Sequence, residues 1–492
     1  MAFNPEDLVP EALWKHFAAV CKTPHCSGNE KALGDYVAAF ARQSGCGARC
    51  DAVGNVVVEV PASPGRENAA VVVLQGHLDM VCEKNSDTPH DFARDPIDAY
   101  VDGDWMKARG TTLGADNGMG IAASLAVIED GNCIHGPLEL LFTVDEETGL
   151  NGAAGLAPGS LKGRILLNLD SEEEGVFFIG CAGGADSEIF LTIRRRSSVR
   201  GEALKITLSG LRGGHSGLDI DTGRGNALQL LARMLFNFKI PFDLVHLEGG
   251  NKHNAIPREA FAHVLVPRAR VDAFKKAVQK RFDEIRFEYR AVEKEAALKF
   301  EAAGRRRMPM DEASKSAFLS LLLGLPHGVM AMSQEIQGLV ETSNNVAIVR
   351  CLDKKVKIHT SSRSSIASAL EATRAKIEAV ASLSGAKTRH LKGYPGWNPD
   401  LSSPLLKTMK GVYQGLTGKE PEVKAVHAGL ECGIIGEKFP GMDMISFGPD
   451  LSNPHSPDEK VCIPTVGRFY GLLTATLKAL ADSASAPDPG IA

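Results

Sequence analysis

Seven side chains in this chain have the types and spacing to do chemistry. They are His77 and Asp79 in Gly76-His77-Leu78-Asp79, Asp116 in Leu113-Gly114-Ala115-Asp116-Asn117-Gly118, Glu146 and Glu147 after Asp145, Asp170 after Asn168-Leu169, and His455 in Pro454-His455-Ser456-Pro457. Imidazole nitrogen and carboxylate oxygen together suit zinc or a similar divalent ion. One ion with three protein ligands and a water leaves at least one carboxylate over. Two ions sharing a bridging carboxylate, about 3.5–4 Å apart, would use the whole set, hold a hydroxide and polarise a carbonyl together. Asp79 stands two residues beyond His77, placed to accept the imidazole's other N–H and so fix its tautomer. The adjacent Glu146 and Glu147 cannot both play the same part. One can bind metal while its neighbour stays free as a base for the water.

Each piece has a plainer reading when taken alone. A His-x-Asp pair ordinarily sits on a surface or at an N-cap, and Asp-Glu-Glu or Asp170 with its three following acids ordinarily opens a helix. A histidine flanked by prolines is ordinarily a loop residue. What sets these apart is where they fall. The apolar runs Ala69–Gln75, Leu138–Val144, Arg164–Leu169 and Met444–Phe447 read as strands; the first three are followed at once by one of these segments, and the last opens into the loop carrying His455. Parallel strands bring such ends together, and in an open α/β sheet that edge is where ligands bind.

The elements around them support this. Residues 30–43 have helical apolar spacing, 53–60 read as a strand, and Asn117–Glu129 reads as a helix with Asp116 at its N-cap. Near residue 185 the texture changes to alternating strands, Gly201–Ser209 and Ala260–Val266, with amphipathic helices at 226–238, 271–292 and 366–383. Val346–Val349 and Val356–Thr360 read as a strand pair. Strand, polar turn and helix occur at 204–237 and again at 355–383, a loose internal duplication. After Gly393-Tyr394-Pro395-Gly396 the α/β style returns, with helices at 404–416 and 466–481 and a frayed tail from Ser483. The expected architecture is an α/β domain with a mainly parallel central sheet over 1–187 and 393–492, interrupted by an α+β domain over 188–392.

Composition narrows the function classes. In 492 residues, 55 Lys plus Arg face 60 Asp plus Glu, so there is no basic excess to hold nucleic acid. The run Arg194-Arg195-Arg196 reads as a solvated strand end. No apolar stretch approaches the roughly 18–20 residues of a membrane span, and the polar start lacks the grammar of a secretion signal. Ten scattered cysteines show no framework spacing, so free thiols and a cytoplasmic setting are expected. Gly214-His215-Ser216-Gly217 is not a Gly-x-Ser-x-Gly elbow, and no phosphate loop occurs, which argues against a serine hydrolase or an NTPase.

The five motifs, in this order and over almost the whole chain, resemble the aminoacyl-histidine dipeptidases, within the co-catalytic zinc peptidase group that includes glutamate carboxypeptidases and aminoacylases. The resemblance implies a zinc-peptidase catalytic domain with an inserted lid domain and two divalent ions, zinc first, with cobalt or manganese as alternatives. By position it makes Asp116 the bridge, His77 and Asp170 ligands of one ion, and Glu147 and His455 ligands of the other. It makes Glu146 the general base and then acid for a metal-bridging hydroxide, with Asp79 supporting His77. In the lid it gives His215 the oxyanion and gives Asn254 and Arg363 the substrate's carboxylate end. It sets Gly429 in a segment lining the substrate, and it carries a homodimer formed through the lid. His25, His90, His135, His253, His327, His359, His390 and His427 read as structural or surface residues. The expected activity is hydrolysis of dipeptides with a free N-terminus, Xaa-His dipeptides among them. The alternative on the same centre is an N-acyl amino-acid deacylase or carboxypeptidase, since the metal ligands read the bond and not its flanking groups.

Overall fold

The computed structural model describes residues 3–196, 201–304 and 308–483. It divides into two units. One takes the chain up to Gly180, Pro399–Ala425 and the chain from Leu430; the other takes Cys181–Asn398 with Val426–Gly429. The division falls outside positions 187 and 393 because the two linking stretches pair with each other. Cys181 bonds with Trp397 and Gly184 with Tyr394 through their backbones, so both stretches belong to the second unit.

The first unit is built on an eight-stranded sheet. Its order is Gly47–Cys50, Val56–Val60, Leu138–Thr143, Val72–His77, Ile165–Asn168, Asp443–Ser446, Val176–Cys181, Glu422–Val426. The four middle strands run parallel: Val72–His77 lies between Leu138–Thr143 and Ile165–Asn168, which pairs in turn with Asp443–Ser446. The flanking pairings with Val56–Val60 and Val176–Cys181 are antiparallel, so the sheet is mixed. The parallel strands Val72–His77 and Leu138–Thr143 are buried along their whole lengths, as continuous apolar runs covered on both faces should be. The helix following Gly114 starts at Ala115, but Asp116 (φ −85°, ψ 107°) and Asn117 (φ −106°, ψ 33°) leave the helical region. Asp116 is therefore held in a break of the first turn instead of at a regular N-cap.

The second unit is an antiparallel sheet of nine strands, with Val340–Cys351 and Lys355–Ser364 at its middle. Helices Ala227–Leu235, Val271–Glu288, Glu312–Gly324 and Ala367–Leu383 contribute to one apolar core with it. In Glu202–Ser209 every second residue is buried, the period of a strand with one face open. The helix Glu312–Gly324 is not predicted from sequence. Its apolar residues run together from Phe318 instead of recurring at helical spacing.

Two expectations fail. Arg195 is not a solvated strand end: its guanidinium donates to the carbonyls of Asp353, Val245, Met308 and Leu352 at 2.6–3.1 Å. Nor are all cysteines free. Cys26 and Cys82 form a disulfide with Cα atoms 5.7 Å apart, a pairing that a separation of 56 positions conceals; the other eight form no disulfide. Among the described residues no helix is long and apolar enough to cross a membrane. The tail from 484 lies outside the described residues.

Candidate metal centre

The C-terminal ends of the parallel strands deliver the first group. His77 closes its strand, Glu146 and Glu147 open a short helix after Leu138–Thr143, and Asp170 follows Ile165–Asn168. His77 Nδ1 is 3.0 Å from the Asp79 carbonyl oxygen and 3.4 Å from its carboxylate. A hydrogen on Nδ1 would leave Nε2 as the free donor atom. Nε2 faces Asp116 Oδ1 at 3.1 Å and Asp170 Oδ1 at 3.3 Å. The other oxygen of Asp116 faces His455 Nε2 at 3.2 Å, and Glu147 Oε1 approaches that nitrogen at 3.0 Å. Asp116 thus points its two oxygens at two different imidazoles. His455 takes up a left-handed backbone (φ 59°), a conformation that costs a non-glycine residue about 1–2 kcal/mol.

Four carboxylate oxygens crowd two ring nitrogens, and each nitrogen carries at most one hydrogen. Glu147 Oε1 and Asp170 Oδ1 are buried without a hydrogen-bond partner. Buried acceptors in excess of donors are costly unless a cation joins them. The same crowding sets the protonation states. Burial, with Asp116 and Glu147 nearby, lifts the Asp170 carboxyl to about 7. Burial also raises Glu146 well above the usual carboxylate range, and Asp170, Glu431 and Glu147 add to it. The carboxylates of Asp116 and Glu147 beside it raise His455 to about 11.

Supporting carboxylates hold these groups. Asp79 Oδ1 accepts the backbone N–H of Glu146 at 3.0 Å, and Oδ2 accepts that of Glu147 at 3.2 Å and the Ser27 hydroxyl at 2.8 Å. Glu459 is buried and accepts four successive backbone N–H groups, from Leu113 to Asp116, at 2.8–3.3 Å. Glu431, fully buried, accepts from Gln75 and Thr143, both at 2.6 Å.

The second unit carries its own group. His215 pairs with Ala255 in a two-residue strand, and its Nδ1 accepts the backbone N–H of Gly217 at 3.2 Å and of Leu218 at 3.1 Å. An Nδ1 that accepts must be bare, so the hydrogen sits on Nε2. Burial, aided by Arg363, lowers its pKa to about 4, so the ring is a neutral donor. Arg363 is buried, donates to the Tyr394 hydroxyl at 3.0 Å, and has no partner at Nε. Gly429 packs on Tyr394, where an added Cβ would come within 2.9 Å of the ring. Gly217 could not bear a side chain either, since its Cβ would meet the His427 carbonyl. Asn254 is exposed and joins the group through its carbonyl, which accepts the Ser216 N–H at 2.8 Å.

Residues 73–479 match peptidase family M20/M25/M40. The chain belongs to this family. It is 45% identical over 474 residues to the cytosol non-specific dipeptidase of Escherichia coli, covering 96% of this chain and 98% of that one. The aminoacylhistidine dipeptidase structure from Vibrio alginolyticus matches with a TM-score of 0.90 at 43% identity, over 97% of this chain and 98% of that one. Aminopeptidase PepT from Bacillus cereus matches over 97% and 99% with a TM-score of 0.56, but at 16% identity that likeness is one of fold.

Within this peptidase, sequence reasoning names the residues that the structure brings together at the strand ends but misses Glu459, Glu431, Ser27 and Tyr394 beside the two groups. Glu459 had a signal: an acid four residues past His455 in the same loop. Glu431 and Ser27 had none, because their partners are 288 to 356 and 52 positions away.

Proposed function

We propose that this chain is a metal-dependent dipeptidase acting on dipeptides with a free N-terminus, Xaa-His dipeptides included. The observation that carries the reading is Asp116, whose two oxygens face His77 and His455 while Glu147 and Asp170 each keep an unpartnered oxygen beside those rings. His77, Asp170 and Asp116 would hold one divalent ion, and Glu147, His455 and Asp116 a second. Zinc is the expected ion, with cobalt or manganese as alternatives. Such ions supply Lewis-acid polarisation of a carbonyl and a more acidic water. Glu146 takes the proton from the attacking water and returns it to the leaving amine. His215 donates its Nε2 hydrogen to the developing oxyanion. Arg363 has an unpaired Nε to offer the substrate carboxylate, Asn254 assists, and Gly429 leaves room beside Tyr394.

The substrate is a small peptide, and the proposal includes a homodimer formed through the second unit. The name of the E. coli relative places that protein in the cytosol. A cytoplasmic setting is proposed here too. The test is hydrolysis of Ala-His, β-Ala-His, Gly-Gly, an Ala tripeptide and N-acetyl-Ala-His by chelator-stripped protein, before and after zinc, cobalt or manganese is restored. Metal-dependent cleavage confined to free dipeptides is expected. Cleavage of the blocked substrate alone would move the chain to the deacylase reading.

A further inference from the structure

We propose that Asp186, His253 and His359 form a third divalent-metal site, built entirely within the second unit and taking a zinc-class transition ion. Asp186 lies on the strand Gly183–Thr192 and His359 on Lys355–Ser364. These strands pair antiparallel with Asp186 opposite Ser361 and His359 opposite Glu188. Residues two apart share a strand face, so Asp186 and His359 project from the same side, one step apart. His253 comes from a third segment, the loop between Asp243–Gly249 and Ala255–Ile256.

The donor atoms converge on one point. Asp186 Oδ2 is 2.9 Å from His359 Nε2 and 3.2 Å from His253 Nδ1. All three atoms lie within 4.8 Å of one another. Two ligands bonded at 2.0–2.1 Å to a tetrahedral ion stand about 3.3 Å apart. The first unit provides an internal ruler, because its imidazole–carboxylate separations are 3.0–3.3 Å. The second group therefore repeats the imidazole–carboxylate spacing of the first, but with two imidazoles and one carboxylate where each ion of the first would take one imidazole and two carboxylates.

Accessibility and charge fit as well. The side chain of His359 is 15% exposed, that of Asp186 22% and that of His253 58%, so an ion can enter and keep a water ligand. The cations that act on His253 are Arg363, already bonded to Tyr394, and Lys252. Two rings from different segments, one of them an exposed loop, are aimed at the same carboxylate oxygen. Binding would tie that loop to the strand pair. Asn254, next in sequence to His253, would be steadied with it, as would the Ala255 pairing to His215.

The experiment counts metal in the full-length protein. Wild type, His253→Ala/His359→Ala and Asp186→Asn are stripped by chelator, dialysed against zinc, freed of loose ion by gel filtration and assayed by elemental analysis. Each variant is expected to hold one equivalent fewer than wild type. His359→Gln, a milder change, serves if the double variant fails to fold. Cobalt loading adds a second readout, with the wild-type-minus-variant visible spectrum showing one tetrahedral or five-coordinate ion. Because the comparison is a difference, occupancy at the strand-end centre cancels, and its failure would be separately visible. Equal metal content in wild type and folded variants would overturn the proposal.

Discussion

The carboxylate of Asp79 accepts the backbone N–H of Glu146 at 3.0 Å. Its neighbour Glu147 is held the same way, so a single buried acid aims both members of the pair that the sequence could only describe as adjacent. Spacing alone assigned Asp79 to His77. In the structure the backbone carbonyl of Asp79 lies nearest to His77 Nδ1, and its side chain is mainly engaged elsewhere. Asp79→Asn replaces one accepting oxygen with an NH2 facing an N–H. Turnover should fall about 10- to 100-fold, the usual cost of losing such an orienting partner. The check is kcat beside metal content. Unchanged kcat would free Glu146 from this dependence.

Glu146→Gln tests the base directly. The amide is close to the same shape but cannot take up a proton. Loss of a positioned acid–base group costs about 10²–10⁴-fold. The variant should keep its full metal content by elemental analysis while kcat drops by at least about 100-fold. Near-wild-type turnover in the metal-loaded variant would move the proton transfer to another group.

Glu459 should matter through the turn it holds. Four N–H groups of Leu113–Asp116 converge on its carboxylate, and those donors have no other anchor in the hydrogen bonds of that turn. Glu459→Ala would leave them buried and unpaired, at about 1–3 kcal/mol for each donor that water cannot reach. We expect a lower unfolding midpoint and weaker metal retention, because Asp116 sits at the end of that turn. Calorimetry with and without added zinc separates the two. A midpoint indistinguishable from wild type would show that water replaces the carboxylate.

These cases show what a sequence reveals and what it hides. The parallel strands were legible because burial on both faces demands unbroken apolar runs, and Val72–His77 and Leu138–Thr143 have them. The residues just past those runs were legible for the same reason, since the sheet's edge follows from the strands. Asp116 was harder: its neighbours read as a regular helix start, whereas the backbone breaks there. Supporting groups such as Glu431 stayed hidden, because their role arises only when segments 288 or more positions apart meet. His253 and His359 looked like ordinary surface histidines, and nothing in either one's local sequence points to Asp186. Strand register, which sets which faces align, is what joins His359 to it.

A last prediction concerns acid. His16 is buried in the helix Glu11–Lys22, edge-on to Phe40, with Nδ1 3.1 Å from the Tyr36 hydroxyl. Burial lowers its pKa from 6.5 to about 4. Between those values the unfolded chain binds the proton and the folded one refuses it, so stability falls as pH drops from 6.5 toward 4. Above 6.5 both states are neutral and the contribution is complete; below 4 the loss levels off. A gap of this size corresponds to about 3 kcal/mol at 1.36 kcal/mol per unit. His16→Gln removes the titration, so its urea midpoint should start lower than wild type near neutrality yet decline less steeply on the acid side. Parallel curves for the two proteins would place the acid sensitivity in other groups.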